Sequence, residues 1–306
     1  MHIEKVAIIG KGAVGLLYGS MIESALGAGT VEFVMDGERY ARHADDAVTI
    51  NGEPCGIATV PASRAQLADA VIVTIKTTGL AAALDTMEAV VGPQTRIASL
   101  CNGIRSERAI AERFGWGRTV LSVAQGMDAV FIGDAMTYTH SGEIRFGAAE
   151  GTEAGVVDDL ADLYARAGIS HTVETDIVRR LWTKLMLNVG LNQTCMVYGG
   201  TYGSVLEPGG EQLRCFVAAM REARAVAEAE GVGLTEADLS AMVDLVRGLD
   251  PAGMPSMAQD RVNGKLTEVE EFAGTIRELG RAHGIITPTN DWLYQRVRVI
   301  EGSDSR

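Results

Sequence analysis

The segment from Val6 to Gly15 constrains this chain more than any other. Four apolar, partly β-branched residues, Val6-Ala7-Ile8-Ile9, run straight into Gly10-Lys11-Gly12-Ala13-Val14-Gly15. A stretch rich in Ala, Leu and Met, of helical character, continues from Val14 to Ala25. The order reads strand, glycine loop, helix. Glycine spacing alone is a weak signal in a chain holding 36 glycines, so the flanking elements carry the argument. Gly10 lets the chain turn off the strand, Gly12 lets the backbone approach a pyrophosphate, and Gly15 lets the helix pack closely on the strand. The helix N-terminus supplies unpaired N–H groups and positive potential. Gly10, Lys11, Gly12, Ala13, Val14 and Gly15 are therefore the expected cofactor-binding loop of a Rossmann-type dinucleotide domain. A glycine turn without a ligand is the alternative.

The rest of the first half of the chain fits that reading. Apolar runs at Val31 to Met35, Ala68 to Ile75, Arg96 to Leu100 and Thr119 to Val123 read as strands, with helical patterns at Gly79 to Val91 and Ser106 to Arg113 between them. Strands alternating with helices predict an α/β domain with a doubly wound parallel sheet. After about Ile169 strand-like runs become scarce. Helical spacing then dominates at Ile177 to Val197, Glu211 to Glu230, Glu236 to Gly248 and Leu266 to His283. The 306 residues thus predict a Rossmann domain over 1–172 and an all-helical domain over 173–306, closing in a short, frayed polar tail from Glu301 to Arg306.

Two groups of polar residues stand out from this pattern. Asp36 comes directly after the second strand, where a carboxylate accepts from the adenosine ribose hydroxyls and repels a 2′-phosphate. That favours NAD, while Arg39 and Arg42, just beyond it, could bind a 2′-phosphate, so NADH and NADPH both stay open. In the second half, Lys184, Asn188 and Asn192 recur every fourth residue through an otherwise apolar helix from Leu181 to Asn192, which places all three on one face. A cation and two carboxamides buried without partners would be costly, so they should face a polar ligand; a solvated helix face is the alternative. Lys184 is one of only five lysines among 27 basic residues, and lysine, unlike arginine, can release its proton.

Composition excludes other classes. A net charge of −13 with no basic stripe argues against nucleic acid and anionic membranes as partners. Cys55, Cys101, Cys195 and Cys215 are scattered, with neither a CxxC pair nor a His at metal-ligand spacing, so reduced thiols and no metal site are expected. No apolar stretch is long enough to span a bilayer, and a cytoplasmic protein is expected. A twofold homodimer is the default expectation for assembly.

Taken together, the glycine loop, Ala68-Asp69-Ala70-Val71-Ile72-Val73-Thr74-Ile75-Lys76, Asn102-Gly103, Trp182 through Asn192, Ser256-Met257-Ala258-Gln259-Asp260 and Thr267-Glu268-Val269 resemble the ketopantoate reductase family over essentially the whole chain. The resemblance implies reduction of ketopantoate to pantoate by NAD(P)H, NADPH being the family's usual choice, with the substrate in a cleft between the two domains. It implies Lys184 as general acid and Glu268 as the carboxylate near the lysine and substrate. Asn102 would contact cofactor and substrate, Asn188, Asn192 and Ser256 the substrate, and Lys76 would lie beside the nicotinamide end. This chain departs from the family pattern at three places. Asp36 stands where many relatives carry arginine, Gln193 where proline is common, and Gln125-Gly126-Met127-Asp128 replaces a loop rich in glycine and threonine. The last two are expected near the substrate, which leaves a reductase of another 2-oxo acid as a second reading. A non-catalytic NAD(P)H sensor is a third, against which the intact Lys184, Asn188, Asn192, Ser256 and Glu268 speak.

Overall fold

The computed structural model describes residues 1–304, which divide into two compact units, Met1–Ile177 and a second that begins at Val178. The first is built on a sheet of strands β1 (Val6–Ile9), β2 (Val31–Met35), β3 (Ala58–Pro61), β4 (Ala68–Val73), β5 (Val91–Ser99), β6 (Thr119–Met127), β7 (Ser141–Ala148) and β8 (His171–Val173). Their spatial order is β8-β7-β6-β5-β4-β1-β2-β3. The strands from β3 through β6 are parallel, while β7 runs antiparallel to β6 and β8 parallel to β7. Strand order reverses between β1 and β4, the switch point at which doubly wound sheets bind ligands.

Helices α1 (Ala13–Leu26), α2 (Gly37–His43), α3 (Leu80–Met87), α4 (Ser106–Phe114) and α5 (Val156–Arg166) complete this unit. Val6 and Ile8 of β1 pack with Leu16, Leu17 and Ile22 of α1 and with Leu160 and Leu163 of α5. Ala7 and Ile9, on the other face, pack with Ala83 and Met87 of α3 and Ile110 of α4. Alternate residues of one strand thus serve two cores, which is why β1 and β4 read as unbroken apolar runs. Truncating Ile8, fully buried, to Ala would cost about 2–5 kcal/mol. A small second sheet, formed by Glu53–Pro54, Thr49–Ile50, Ala135–Thr137 and Val130–Ile132, packs Met136 and Phe131 onto the α1 side.

The expected boundary at residue 172 cuts through β8. Thr172 pairs with Arg145 and Val173 with Phe146, so the sheet carries the first unit on to Ile177.

The second unit holds α6 (Ile177–Tyr198), α7 (Tyr202–Val205), α8 (Glu211–Ala229), α9 (Glu236–Arg247), α10 (Ser256–Val262), α11 (Thr275–Ala282) and α12 (Pro288–Asp304). Helices α7 and α9 start at capping boxes on Thr201 and Thr235. Gly190 lets α6 meet α8 closely: a Cβ there would lie 2.6 Å from Met220 Cγ and 2.7 Å from Phe216 Cδ2. The helix expected from Leu266 is shorter and irregular at its start. Thr267 gives its N–H and hydroxyl to Glu301 Oε1 at 2.9 and 2.7 Å, and a π-helical turn, Glu270–Gly274, precedes α11. The same bonds correct the expected frayed tail, because Glu301 is buried and α12 runs to Asp304; residues 305–306 lie outside the described ones.

Candidate active site

The first unit gathers its candidates at the carboxyl ends of its parallel strands. Gly10 follows β1 with φ +122°, a value that favours glycine, and Thr74 Oγ1 donates to its carbonyl at 2.8 Å. A Cβ on Gly15 would meet that carbonyl oxygen at 2.0 Å, whereas one on Gly12 would meet nothing within 4 Å. Helix α1 has no side-chain cap at Gly12 and no acidic residue in its first turn. Its leading N–H groups, beside Ala13, Val14 and half-buried Lys11, therefore face open space and suit a pyrophosphate, so the loop fits a dinucleotide.

Asp36 follows β2 and is the N-cap of α2, its Oδ1 accepting from Arg39 N–H at 2.8 Å. Arg39 and Arg42 are exposed. Lys76, after β4, is exposed and caps a single 3-10 turn, Thr77–Gly79, through its carbonyl. Asn102 follows β5, beside a buried polar relay in which Cys101 N–H donates to Ser99 Oγ at 3.4 Å and Ser99 and Ser106 hydroxyls meet at 2.8 Å. Ser106 Oγ in turn donates to Glu107 Oε2 at 2.8 Å, and Ser122 N–H reaches Glu107 Oε1 at 3.4 Å. Glu107 is 1% exposed. Sequence reasoning passed over Glu107 and Thr74; the signal was a Ser-Glu pair opening a helix and a lone hydroxyl ending an apolar strand.

In the second unit, α6 presents half-buried Lys184 one turn ahead of Asn188, and Asn188 one turn ahead of Asn192. Asn192 Nδ2 donates to Asn188 Oδ1 at 3.1 Å. Asn192 Oδ1 accepts from Ser256 Oγ at 3.0 Å and from Met257 N–H at 3.2 Å. Asn188, Asn192 and Ser256 thus form one hydrogen-bonded chain that also satisfies the first turn of α10. Glu268 is buried just before the π-helical turn, its carbonyl accepting from Glu271 and Phe272 N–H.

Gln193 is not on this face. It is fully buried, its Nε2 donating to Val189 O at 2.6 Å and Asn290 Oδ1 at 3.4 Å, and its Oε1 accepting from Ala273 N–H at 3.0 Å. The expectation that it borders the substrate is corrected: it braces the π-helical turn, supplying the acceptor that a distorted ladder leaves missing. Gln125 lies opposite Glu143 across β6 and β7 and hydrogen-bonds its carboxylate.

Among the described residues no cluster of His, Cys, Asp and Glu is placed to hold a metal, and no helix is long and apolar enough to cross a membrane. All four cysteines are free thiols.

The model of the ketopantoate reductase PanE/ApbA family matches residues 6–151, and that of its C-terminal domain matches residues 176–301. The chain belongs to the ketopantoate reductase family. Among curated relatives, the 2-dehydropantoate 2-reductase of Caulobacter vibrioides is 31% identical over 242 residues, covering 76% of this chain and 78% of that protein. That of Vibrio cholerae is 25% identical over 308 residues, covering 98% and 99%. Among solved structures, a PanE/ApbA family ketopantoate reductase from Ralstonia eutropha has a TM-score of 0.84 and 26% identity, covering 99% of this chain and 100% of the other. D-mandelate dehydrogenase with NADH and anilino(oxo)acetate has a TM-score of 0.88 over the same shares at 21% identity, a likeness of fold. As a ketopantoate reductase family member, the chain is an oxidoreductase that works with a nicotinamide dinucleotide.

Proposed function

We propose that this ketopantoate reductase family member reduces 2-dehydropantoate to pantoate with NAD(P)H, using Lys184 as general acid. The observation that carries the reading is the polar face of α6, where Lys184 stands one turn from a carboxamide chain that ties Asn188 and Asn192 to Ser256. When bound, reduced nicotinamide supplies a hydride to the ketone carbon. Negative charge then grows on the carbonyl oxygen, where the Lys184 ammonium stabilises it and delivers a proton. Glu268 is the carboxylate that keeps this lysine charged before the step and shares the proton balance after it. Asn188, Asn192 and Ser256 orient the acid, and Asn102, at the end of β5, reaches both substrate and cofactor. In a chain of net charge −13, these local donors rather than a general field would hold an anionic substrate.

Asp36 favours NADH, because a carboxylate directly after β2 repels a 2′-phosphate, while the exposed Arg39 and Arg42 keep NADPH open. The reading is tested by following oxidation of NADPH and of NADH with ketopantoate and a panel of other 2-oxo acids. Turnover strongest with ketopantoate is the expected result. Activity on another acid alone would transfer the reading to that substrate, and tight cofactor binding with no turnover of any acid would overturn it in favour of a sensor.

A further inference from the structure

The end of the ladder between β1 and β4 holds a hydroxyl that the proposed reduction does not use. Thr74 N–H donates to the Ile9 carbonyl at 2.9 Å, the last rung between the two strands. A regular parallel ladder would go on with Lys11 N–H donating to the Thr74 carbonyl. Among the described residues that rung is not made, because Gly10, at φ +122°, turns the chain off the sheet. In its place the Thr74 hydroxyl donates to the Gly10 carbonyl at 2.8 Å. Among the described residues no backbone N–H meets that carbonyl, so a side chain supplies the bond that the ladder drops. Both glycines leave room for this one atom. A Cβ on Gly10 would lie 2.8 Å from Thr74 Oγ1, and one on Gly15 would lie 2.6 Å from it.

The direction of that bond fixes a second group. The Gly10–Lys11 peptide is trans, so its N–H points opposite to its carbonyl. With the carbonyl held inward against the end of β4, Lys11 N–H is held outward, next to Gly12, where an added Cβ would meet nothing within 4 Å. Glycine at position 10 tolerates either orientation of the peptide that follows it, and the reverse orientation would aim a carbonyl oxygen where an anion has to bind. We infer that Thr74 is a positioning residue for the cofactor, whose hydroxyl locks the Gly10–Lys11 peptide with its N–H turned toward the pyrophosphate. The inference concerns binding of the dinucleotide alone and stands apart from which acid is reduced.

The test is fluorescence titration with NADH and NADPH, and competition by ADP-ribose, on the full chain carrying Thr74→Val, Thr74→Ala or Thr74→Ser. Valine keeps the branched shape and alanine empties it, while both lose the donor. A peptide free to flip lowers the fraction of protein competent to bind, so both variants should raise Kd by roughly 10-fold. The factor should be the same for NADH, NADPH and ADP-ribose, because all three carry the pyrophosphate. Serine restores the hydroxyl and should bind within about threefold of the unmodified protein. Normal binding by the valine and alanine variants would overturn the inference. Serine binding as weakly as alanine would also overturn it, by showing that packing rather than the hydroxyl matters. A loss confined to NADH or to NADPH would move the effect to the adenosine end and overturn it too. The unmodified protein, labelled with nitrogen-15, decides the orientation even if a variant fails to fold. Saturation with ADP-ribose should shift the Lys11 amide resonance and slow its hydrogen exchange, and an unmoved Lys11 amide would show that this N–H does not face the pyrophosphate.

Discussion

Two glycines of one loop should separate cofactor binding from stability. An alanine Cβ at position 15 would lie 2.0 Å from the Gly10 carbonyl oxygen and 2.6 Å from Thr74 Oγ1. Both obstacles are held in place, the carbonyl by the backbone and the hydroxyl by its own 2.8 Å bond to that carbonyl. Helix α1 would have to back away from β1 by about 1 Å, and overpacking of this kind costs about 1–3 kcal/mol or more. At ~2–4 °C per kcal/mol for a unit of this size, Gly15→Ala should lower Tm by roughly 2–12 °C. Gly12 differs, with φ −100° and ψ −172°, which alanine adopts, and open space around the added carbon. Poorer N-capping by alanine and the reduced freedom of the unfolded chain nearly cancel, so Gly12→Ala should keep Tm within about 2 °C. The same methyl would stand where a pyrophosphate approaches the α1 N-terminus. With charge-assisted hydrogen bonds of about 1.5–3 kcal/mol at stake, the Kd for the dinucleotide should rise roughly 10- to 100-fold. Thermal melts and titrations of nicotinamide fluorescence on both variants read the two quantities separately. A Gly12→Ala protein that binds NADH and NADPH normally would refute the assignment of the loop.

Further expectations concern single side chains. Lys184→Ala should lower turnover by a factor of roughly 100 or more while leaving cofactor Kd unchanged, and turnover at the original rate would remove the lysine from the mechanism. Asp36→Ser keeps an acceptor for Arg39 N–H but removes the charge, so NADPH use relative to NADH should rise with Tm preserved. Asp36→Ala should shift the ratio equally and also cost the cap, about 1 kcal/mol or ~2–4 °C; an unmoved ratio in both would assign cofactor choice to other residues. Burial pushes the Cys195 thiol from 9.0 up to about 12. Unfolded chains ionise there first, so this thiol's contribution to stability is full below about pH 9 and is lost between pH 9 and 12. Alkylation mapped by mass spectrometry at pH 9 should leave Cys195 unmodified in the folded protein, and rapid labelling would show that it is not buried.

The residues that announced themselves in the sequence are those whose local chemistry matches their fold. β1, its glycine loop and α1 could be read directly, because an apolar run covered on both faces and a glycine that must turn leave few other structures open. Helices α6, α8 and α9 were legible to within a residue or two because their apolar periodicity is long. Strands β7 and β8 were not, since Ser141 to Ala148 mixes Glu143 and Arg145 into its pattern, and beyond pairing with each other these charges are met by Thr172 and Glu174, far along the chain. The π-helical turn before α11 was hidden for the same reason: it depends on Gln193, about 80 residues away, reaching Ala273 N–H. Of the candidate site, the spacing of Lys184, Asn188 and Asn192 was visible, but the direction of their hydrogen bonds was not, because a backbone N–H of Met257 sets it.

That direction also bears on substrate. Two departures from the family pattern, Gln193 and Gln125, point from sequence alone towards a different 2-oxo acid. In the folded chain each has a structural occupation: Gln193 spends both ends of its amide inside the second unit, and Gln125 is bonded to Glu143 across the β6 and β7 pair. The fully buried Gln193 amide, so committed, cannot also select a ligand without leaving Val189, Asn290 or Ala273 unsatisfied. At Gln193 the departure from the family pattern therefore serves packing inside the second unit, and the panel of 2-oxo acids decides the substrate. If the proposed function holds, recognition rests on the α6 face, where Lys184 and the carboxamides of Asn188 and Asn192 offer donors suited to the oxygen acceptors a 2-oxo acid carries.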